Sequence, residues 1–340
     1  MASGTGPGGT GLLERKTTTM LIRLLTAAAA GLAAFGAILE AHAQSWPTRN
    51  VKLIVPLGPG AGADIGARMY ADRLSKKWGQ GIVVENRPGG DSLIGISAFL
   101  SANDDHTLLF GPSSAFTAHP YQHAKMPYDP SEIIPVARVS NTLVAVTVPV
   151  TSGINSLADL VARAKAAPGK LNWAAVTGLN DFQFQAFAKT AGIDIVRVPY
   201  RDPVQAANDL AENRIQAYSS AYAISRPQVE AGKIKVIALT NSAGAPVLKG
   251  VPTAREAGFP ALEFDGLVGL FSTKLIPVEV RERIAKDMIE FAADPEIVDR
   301  LTKTGQVVNP GGPKEFADSI TRQRAGAAAT AKIVGLKSAE

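Results

Sequence analysis

Residues 51–85 read VKLIVPLGPGAGADIGARMYADRLSKKWGQGIVVE. Val51 to Pro56 is a short apolar run rich in β-branched residues, the pattern of a strand covered on both faces. From Asp64 to Trp78 the apolar residues Ile65, Met69 and Leu74 recur near one face at helical spacing, and Ile82 to Glu85 reads as the next strand. Strand, Gly-rich turn, helix and strand make one βαβ unit, the building block of a largely parallel sheet with helices on its faces.

Working outward, the alternation continues with a helix over 93–101 and a strand over 107–110. A Pro- and His-rich stretch, His119 to Pro135, interrupts it. It resumes with strands at 143–148, 171–174, 195–198, 215–218 and 235–239, separated by helices at 156–166, 181–190, 203–212 and 224–231. An apolar strand near 267–271 is followed by three helices to the end. Two βα-rich blocks with a C-terminal helical segment predict an α/β protein of two lobes, each a mainly parallel sheet flanked by helices. The expected division is 44–142 plus 252–340 for the first lobe and 143–251 for the second.

Ahead of the fold, Met20 opens MLIRLLTAAAAGLAAFGAILEAHAQSWP. Basic Arg23, an uncharged apolar run from Leu24 to Leu39, and Ala41-His42-Ala43 form the three regions of a secretory signal peptide. The run is shorter than the roughly 20 apolar residues a membrane span requires. Residues 1–43 are therefore expected to be a leader cleaved near Ala43, placing the mature protein outside the cytoplasm. Residues 1–19 carry no periodic pattern, which makes Met20 a candidate start. The chain has no Cys, which removes disulfides, thiolate metal sites and Cys nucleophiles together. Its formal charge of +5 includes +1 from residues 1–43 and is nowhere concentrated, so nucleic acid is not an expected partner.

Open α/β sheets bind ligands at the carboxyl ends of their strands, where helix N-termini point free N–H groups outward. Three loops hold that position. Leu57 to Asp64 offers Gly60, Ala61 and Gly62 for close backbone approach to a carboxylate, with Asp64 either a ligand contact or a helix cap. Gly111 to Ser114 offers the hydroxyls of Ser113 and Ser114, which equally suit a turn or cap. Val176 to Asp181 offers Thr177, Gly178, Asn180 and Asp181. On this reading a bulky residue at Gly62 blocks the ligand while the lobe still folds.

Ordered motifs run from Trp46-Pro47 almost to the C-terminus: WPTRNVKLIVPLGPGAGADIGAR, VVENRPGG at 83–90, MPYDP at 126–130, PGKLNWA at 168–174, IVRVPYR at 195–201, AGKIKVIALTNS at 231–242 and VPTAREAGFP at 251–260. Their order and spacing resemble the Bug-type substrate-binding proteins of tripartite tricarboxylate transporters. The resemblance implies a two-lobed periplasmic binding protein, type II-like, whose 57–64 and 176–181 loops clasp a ligand carboxylate. It also implies docking to membrane permease subunits and no cofactor; a monomer without enzymatic activity is expected. Departures from the family's pattern bear on the ligand. Leu57 stands where Phe is usual, Ala61 and Ala63 sit among the loop glycines, and Val176 to Phe184 replaces a small polar stretch. Arg201-Asp202-Pro203 replaces Lys-Gly-Gly, and Ser219-Ser220-Ala221-Tyr222 replaces acidic or amide residues. Arg201 is a candidate partner for a second carboxylate, or for Asp202. With Phe182, Phe184 and Tyr222 nearby, the expected ligand is a dicarboxylate or an aromatic carboxylate, although Phe184 and Phe187 equally suit a helix core.

Competing classes leave weaker traces. Gly58-x-Gly60-x-x-Ala63 with Glu85 downstream matches a dinucleotide fingerprint. Pro56 and Pro59, however, remove backbone donors where a pyrophosphate needs them, and nicotinamide cofactors are scarce outside the cell. There is no G-x-S-x-G elbow, H-E-x-x-H or Walker A lysine. His119 and His123 have metal spacing only if helical, and Pro120 predicts a loop. Asp104-Asp105 reads as a solvated turn. A ligand-binding sensor remains a third class.

Overall fold

The computed structural model describes Met1 and residues 46–339. The expected leader, its cleavage site and the Met20 start lie outside the described residues. The chain divides after Thr48 into two units, and every element below belongs to the second.

One sheet is built from β1 (Val51–Val55), β2 (Ile82–Asn86), β3 (Thr107–Pro112), β4 (Ile134–Thr142), β10 (Gly266–Ser272) and β11 (Gln306–Gly311). A second is built from β5 (Val144–Pro149), β6 (Asn172–Ala175), β7 (Val196–Arg197), β8 (Ala217–Ala221) and β9 (Ile234–Leu239). The strand orders are β11-β4-β10-β3-β1-β2 and β7-β6-β8-β5-β9. The helices are α1 (Gly62–Trp78), α2 (Leu93–Ala102), α3 (Ser114–Gln122), α4 (Leu157–Ala166), α5 (Leu179–Ala191), α6 (Pro203–Ala211), α7 (Tyr222–Glu230), α8 (Val278–Phe291), α9 (Pro295–Lys303) and α10 (Pro313–Val334). Among the described residues no helix is long and apolar enough to cross a membrane.

The βα units seen in the sequence give parallel pairs: β1 with β2 and β3, and β6 with β7 and β8. The remaining pairs, made by β4, β5, β10 and β11, are antiparallel. Parallel character is thus confined to the βαβ half of each sheet, because β5 and β10 arrive by crossing between sheets and not over a helix. Two further departures stand out. The Pro-rich interruption holds the end of α3 and the first two residues of β4, and the C-terminal helices are broken by β11. Pro120 lies in the last turn of α3, where its missing N–H costs the helix a single hydrogen bond.

Apolar periodicity places the cores. Behind the first sheet, Phe271 meets Phe116 edge-on at 5.0 Å and Phe316 at 5.0 Å, among Ile54, Ile96, Phe99 and Leu109. Behind the second, Trp173 stacks on Phe184 at 4.5 Å with Leu157, Leu160 and Phe187 around them. Ala254 and Leu262 belong to that second core, so the chain stays with the second sheet well past residue 251.

The chain crosses from one sheet to the other between Thr142 and Val144. Buried Asn241, just after β9, ties this crossing to the return path: its Oδ1 accepts from the Val144 N–H at 2.9 Å and its Nδ2 donates to the Thr142 carbonyl at 2.9 Å. Truncation leaves a buried donor and acceptor unpaired, each worth about 1–3 kcal/mol. Asn241→Ala is expected to lower stability by about 2–3 kcal/mol in urea unfolding. A wild-type midpoint would contradict this clasp.

Candidate functional site

A cleft of about 450 Å³ opens where the carboxyl ends of β1, β2 and β3 face that of β6. It is lined by the 56–58 and 88–92 segments, by Pro112, Ser114, Ala115, Ala118 and Gln122, and by the 176–179 segment. Two helices, α3 and α5, begin on it with open N–H groups; α2 begins beside it, but its Leu93 and Ile94 N–H groups donate to the Gly90 and Gly89 carbonyls. The N-cap residues of α2, α3 and α5 are Ser92, Ser113 and Gly178, and none makes a side-chain capping bond. The first N–H groups of a helix have no partner within it, and the helix start carries about half a positive charge. The cleft wall therefore gathers uncapped donors. Among the lining residues there is no Lys, Arg or His, and Asp91 carries the one ionisable side chain.

The candidate residues fare differently. Ser114, Thr177 and Gly178 line the cleft. The 57–64 loop reaches it through Leu57 and Gly58, while Gly60, Ala61 and Gly62 are not among the lining residues. A Cβ at Gly62 would sit 2.6 Å from Gln306 Nε2, on β11, so a bulky residue there disturbs the sheet and does not report on the cleft. Asp64 lies in the first turn of α1 and is fully occupied. Its Oδ2 accepts the Gly60 N–H at 2.9 Å, its Oδ1 accepts Asn86 Nδ2 at 2.8 Å, and Arg68 pairs with it at 3.1 Å. Burial pushes the Asp64 carboxyl up, but Asn86, Gly60 and Arg68 outweigh burial and hold it below the usual carboxylate range. Asp64 thus shapes the loop from within.

Ser113 is buried and donates to Gln323 Oε1 on α10 at 2.7 Å. Asp181 is held by Arg197 at 2.6 Å and Gln185 at 2.8 Å. Asn180 does not line the cleft, and its buried Oδ1 has no partner among the described residues. Arg201 is exposed and away from the cleft, and Asp202 caps α6 through Val204 N at 2.9 Å, so the two are not paired with each other. Tyr222 is packed with Leu143, Ala145, Leu239 and Ala245, and burial raises its hydroxyl pKa. Phe184 is core, and Phe182 joins Ala118, Val144, Leu179, Phe264 and Ala327. No aromatic side chain lines the cleft, which removes the basis for an aromatic preference.

Sequence reasoning missed the 88–92 segment. Gly89, Gly90, Asp91 and Ser92 have φ of 117°, 55°, 52° and 78°. Such a left-handed run is costly for the non-glycine pair, about 1–2 kcal/mol each. It is fixed from α3: His119 Nε2 donates to the Asp91 carbonyl at 2.9 Å, and its Nδ1 accepts from the Tyr128 hydroxyl at 2.7 Å. Both ring nitrogens are thereby used, so His119 and His123, ring centroids 5.3 Å apart, do not make a metal pair. The signal was present in Pro88-Gly89-Gly90-Asp91 directly after a strand. Glu85, the dinucleotide candidate, is paired with Lys52 at 3.5 Å and with Arg87.

A second cavity of about 410 Å³ is lined by Arg138, Arg322, Glu263 and Asp265 among others. Its charges balance and are engaged internally. Arg138 and Arg322 both donate to Ser319, at 2.6 and 3.0 Å, Asp265 accepts from Ser242, and Glu263 pairs with Arg255.

Residues 66–327 match the profile of tripartite tricarboxylate transporter family receptors. BugT of Bordetella pertussis is 32% identical over 250 residues, covering 71% of this chain and 75% of BugT. A solved periplasmic transporter superposes with a TM-score of 0.75 at 30% identity, over 86% of this chain and 99% of that one. R. palustris Rpa4515 with adipate superposes with a TM-score of 0.74 at 28% identity, again over 86% and 99%. The chain belongs to the tripartite tricarboxylate transporter receptor family, solute-binding receptors of periplasmic binding protein fold.

Burial depresses the His119 pKa below 6.5, with the nearby His123 adding to this and the Asp91 carbonyl opposing it. A folded pKa below the unfolded one means the stability linked to neutral His119 is complete above about pH 6.5 and is lost as pH falls through the depressed value. Chemical unfolding between about pH 7.5 and 5 should show a steeper loss in wild type than in His119→Gln. Equal slopes would contradict a buried neutral imidazole.

Proposed function

We propose that this member of the receptor family is an exported binding protein that closes two lobes on a small carboxylate and delivers it to the permease subunits of a tripartite tricarboxylate-type transporter. The observation that carries the reading is the convergence of two helix N-termini without side-chain caps, those of α3 and α5, on one cleft without a basic side chain. Backbone donors in fixed positions suit a carboxylate and are formed before the ligand arrives. The adipate held by Rpa4515, at 28% identity, is consistent with that chemistry. The family's role supports the permease partner and a periplasmic location.

The lobes in this proposal part at Thr142 and Val144 and rejoin near Phe264, later than the 251 boundary read from sequence, because Ala254 and Leu262 are core of the second sheet. The apolar cluster of Ala118, Val144, Leu179, Phe182, Phe264 and Ala327 lies between elements of both sheets and forms the hinge seat. Ligand shifts the open–closed balance only by its preference for the closed state, and contacts from both loops supply that preference.

Ser114→Asp tests the site. Ser114 lines the cleft in the first turn of α3, where Asp is favourable for the helix by about 0.3–1 kcal/mol. The new carboxylate occupies the donors a ligand needs. Titration calorimetry with a panel of aliphatic carboxylates is expected to show at least about a tenfold loss, about 1.4 kcal/mol, with thermal stability unchanged or raised. Wild-type affinity in Ser114→Asp would overturn this placement.

A further inference from the structure

We infer that Asp91 selects the ligand's second group: the cleft takes a carboxylate that also carries an ammonium or another hydrogen-bond donor, and rejects a second carboxylate. The inference rests on the carboxylate reading above and narrows it.

Asp91 is the charged side chain of a cleft lined by no cation. Its Oδ1 accepts from Thr177 Oγ1 across the cleft at 3.1 Å and its Oδ2 from Gln122 Nε2 at 3.3 Å. A carboxylate accepts about four hydrogen bonds, so capacity remains on both oxygens, and the side chain is exposed toward the opening. No ion pair neutralises it among the described residues. The nearby acids Asp64 and Asp181 are tied to Arg68 and Arg197, and Arg201 stands away from the cleft.

The charge balance then sets the class. The open starts of α3 and α5 bring roughly half a charge each, against one full negative charge from Asp91. The cleft is near neutral overall and suits a ligand whose carboxylate is offset by a donor or cationic group. A second ligand carboxylate would meet Asp91 with no cation between them, whereas an ammonium completes its hydrogen bonds. The backbone holds Asp91 at this point by the left-handed run from Gly89 to Ser92 and by the His119 bond to its carbonyl, so it does not swing aside at little cost. Arg201 at the cleft would have favoured a dicarboxylate, and the structure does not put it there.

The experiment is calorimetric titration of wild type and Asp91→Asn with length-matched pairs: β-alanine and succinate, 4-aminobutyrate and glutarate, 5-aminopentanoate and adipate. Asn tolerates the left-handed backbone at this position and keeps an acceptor for Thr177. Wild type is expected to bind at least one aminocarboxylate ten times or more tighter than its matched dicarboxylate, and Asp91→Asn to reduce that ratio to near one or invert it. A dicarboxylate bound as tightly as its partner in wild type, or a ratio unchanged in Asp91→Asn, overturns the inference while leaving the carboxylate site intact. Binding of no member of the panel by either protein overturns it together with the carboxylate reading. Ser114→Asp separates the two in any protein that binds, since it reports on the anion end alone.

Discussion

A helix begins with N–H groups that it cannot satisfy itself, and in this fold two helices, α3 and α5, begin on the same cleft without a side-chain cap. That constraint organises much of the rest. The sheets set the helix starts side by side because each helix follows the carboxyl end of a strand. The residues that would ordinarily cap them are absent or turned elsewhere. Ser113 bonds Gln323 on α10, and Gly178 has no side chain to offer. In the proposed function these open donors hold a ligand carboxylate, and Asp91 limits how much negative charge the cleft accepts.

The arrangement is held from behind by a few long-range polar contacts. Asn86 on β2 donates to both the Leu57 carbonyl and Asp64, fixing the loop after β1. His119 on α3 fixes the loop after β2. Asn241 binds the two passages between sheets. Leu179 lines both the front cleft and the second cavity and sits in the apolar cluster that includes α3, α5 and α10 residues. Motion of α5 would therefore be felt in both cavities, which links the site to the crossing between sheets.

The βα rhythm was legible because buried parallel strands write near-continuous apolar runs, as in Val51 to Val55. The strand β11, GlnValValAsnProGly, was not, because Pro and Gly break its pattern and antiparallel neighbours supply its pairing. Nor was α3, since Pro120 signals a loop wherever it is not known to fall in a last turn. The loops that line the cleft were legible in part, but not which of their side chains face it. Asp64, Ser113 and Asp181 carry the right chemistry and are consumed by Asn86, Gln323 and Arg197. Those partners lie at sequence distances that no local pattern encodes. Asp91 escaped notice for the opposite reason: within VENRPGGDS it looks like turn punctuation, and its role follows from Thr177 and Gln122 arriving from other segments.

The backbone donors of the cleft are visible as individual amide resonances. Titrating uniformly ¹⁵N-labelled protein with 5-aminopentanoate should move the amides of Ser114, Ala115, Gly178 and Leu179 saturably and together. Saturable shifts confined to residues around Arg138 and Arg322, with those four amides unmoved, would contradict it and place the ligand in the other cavity.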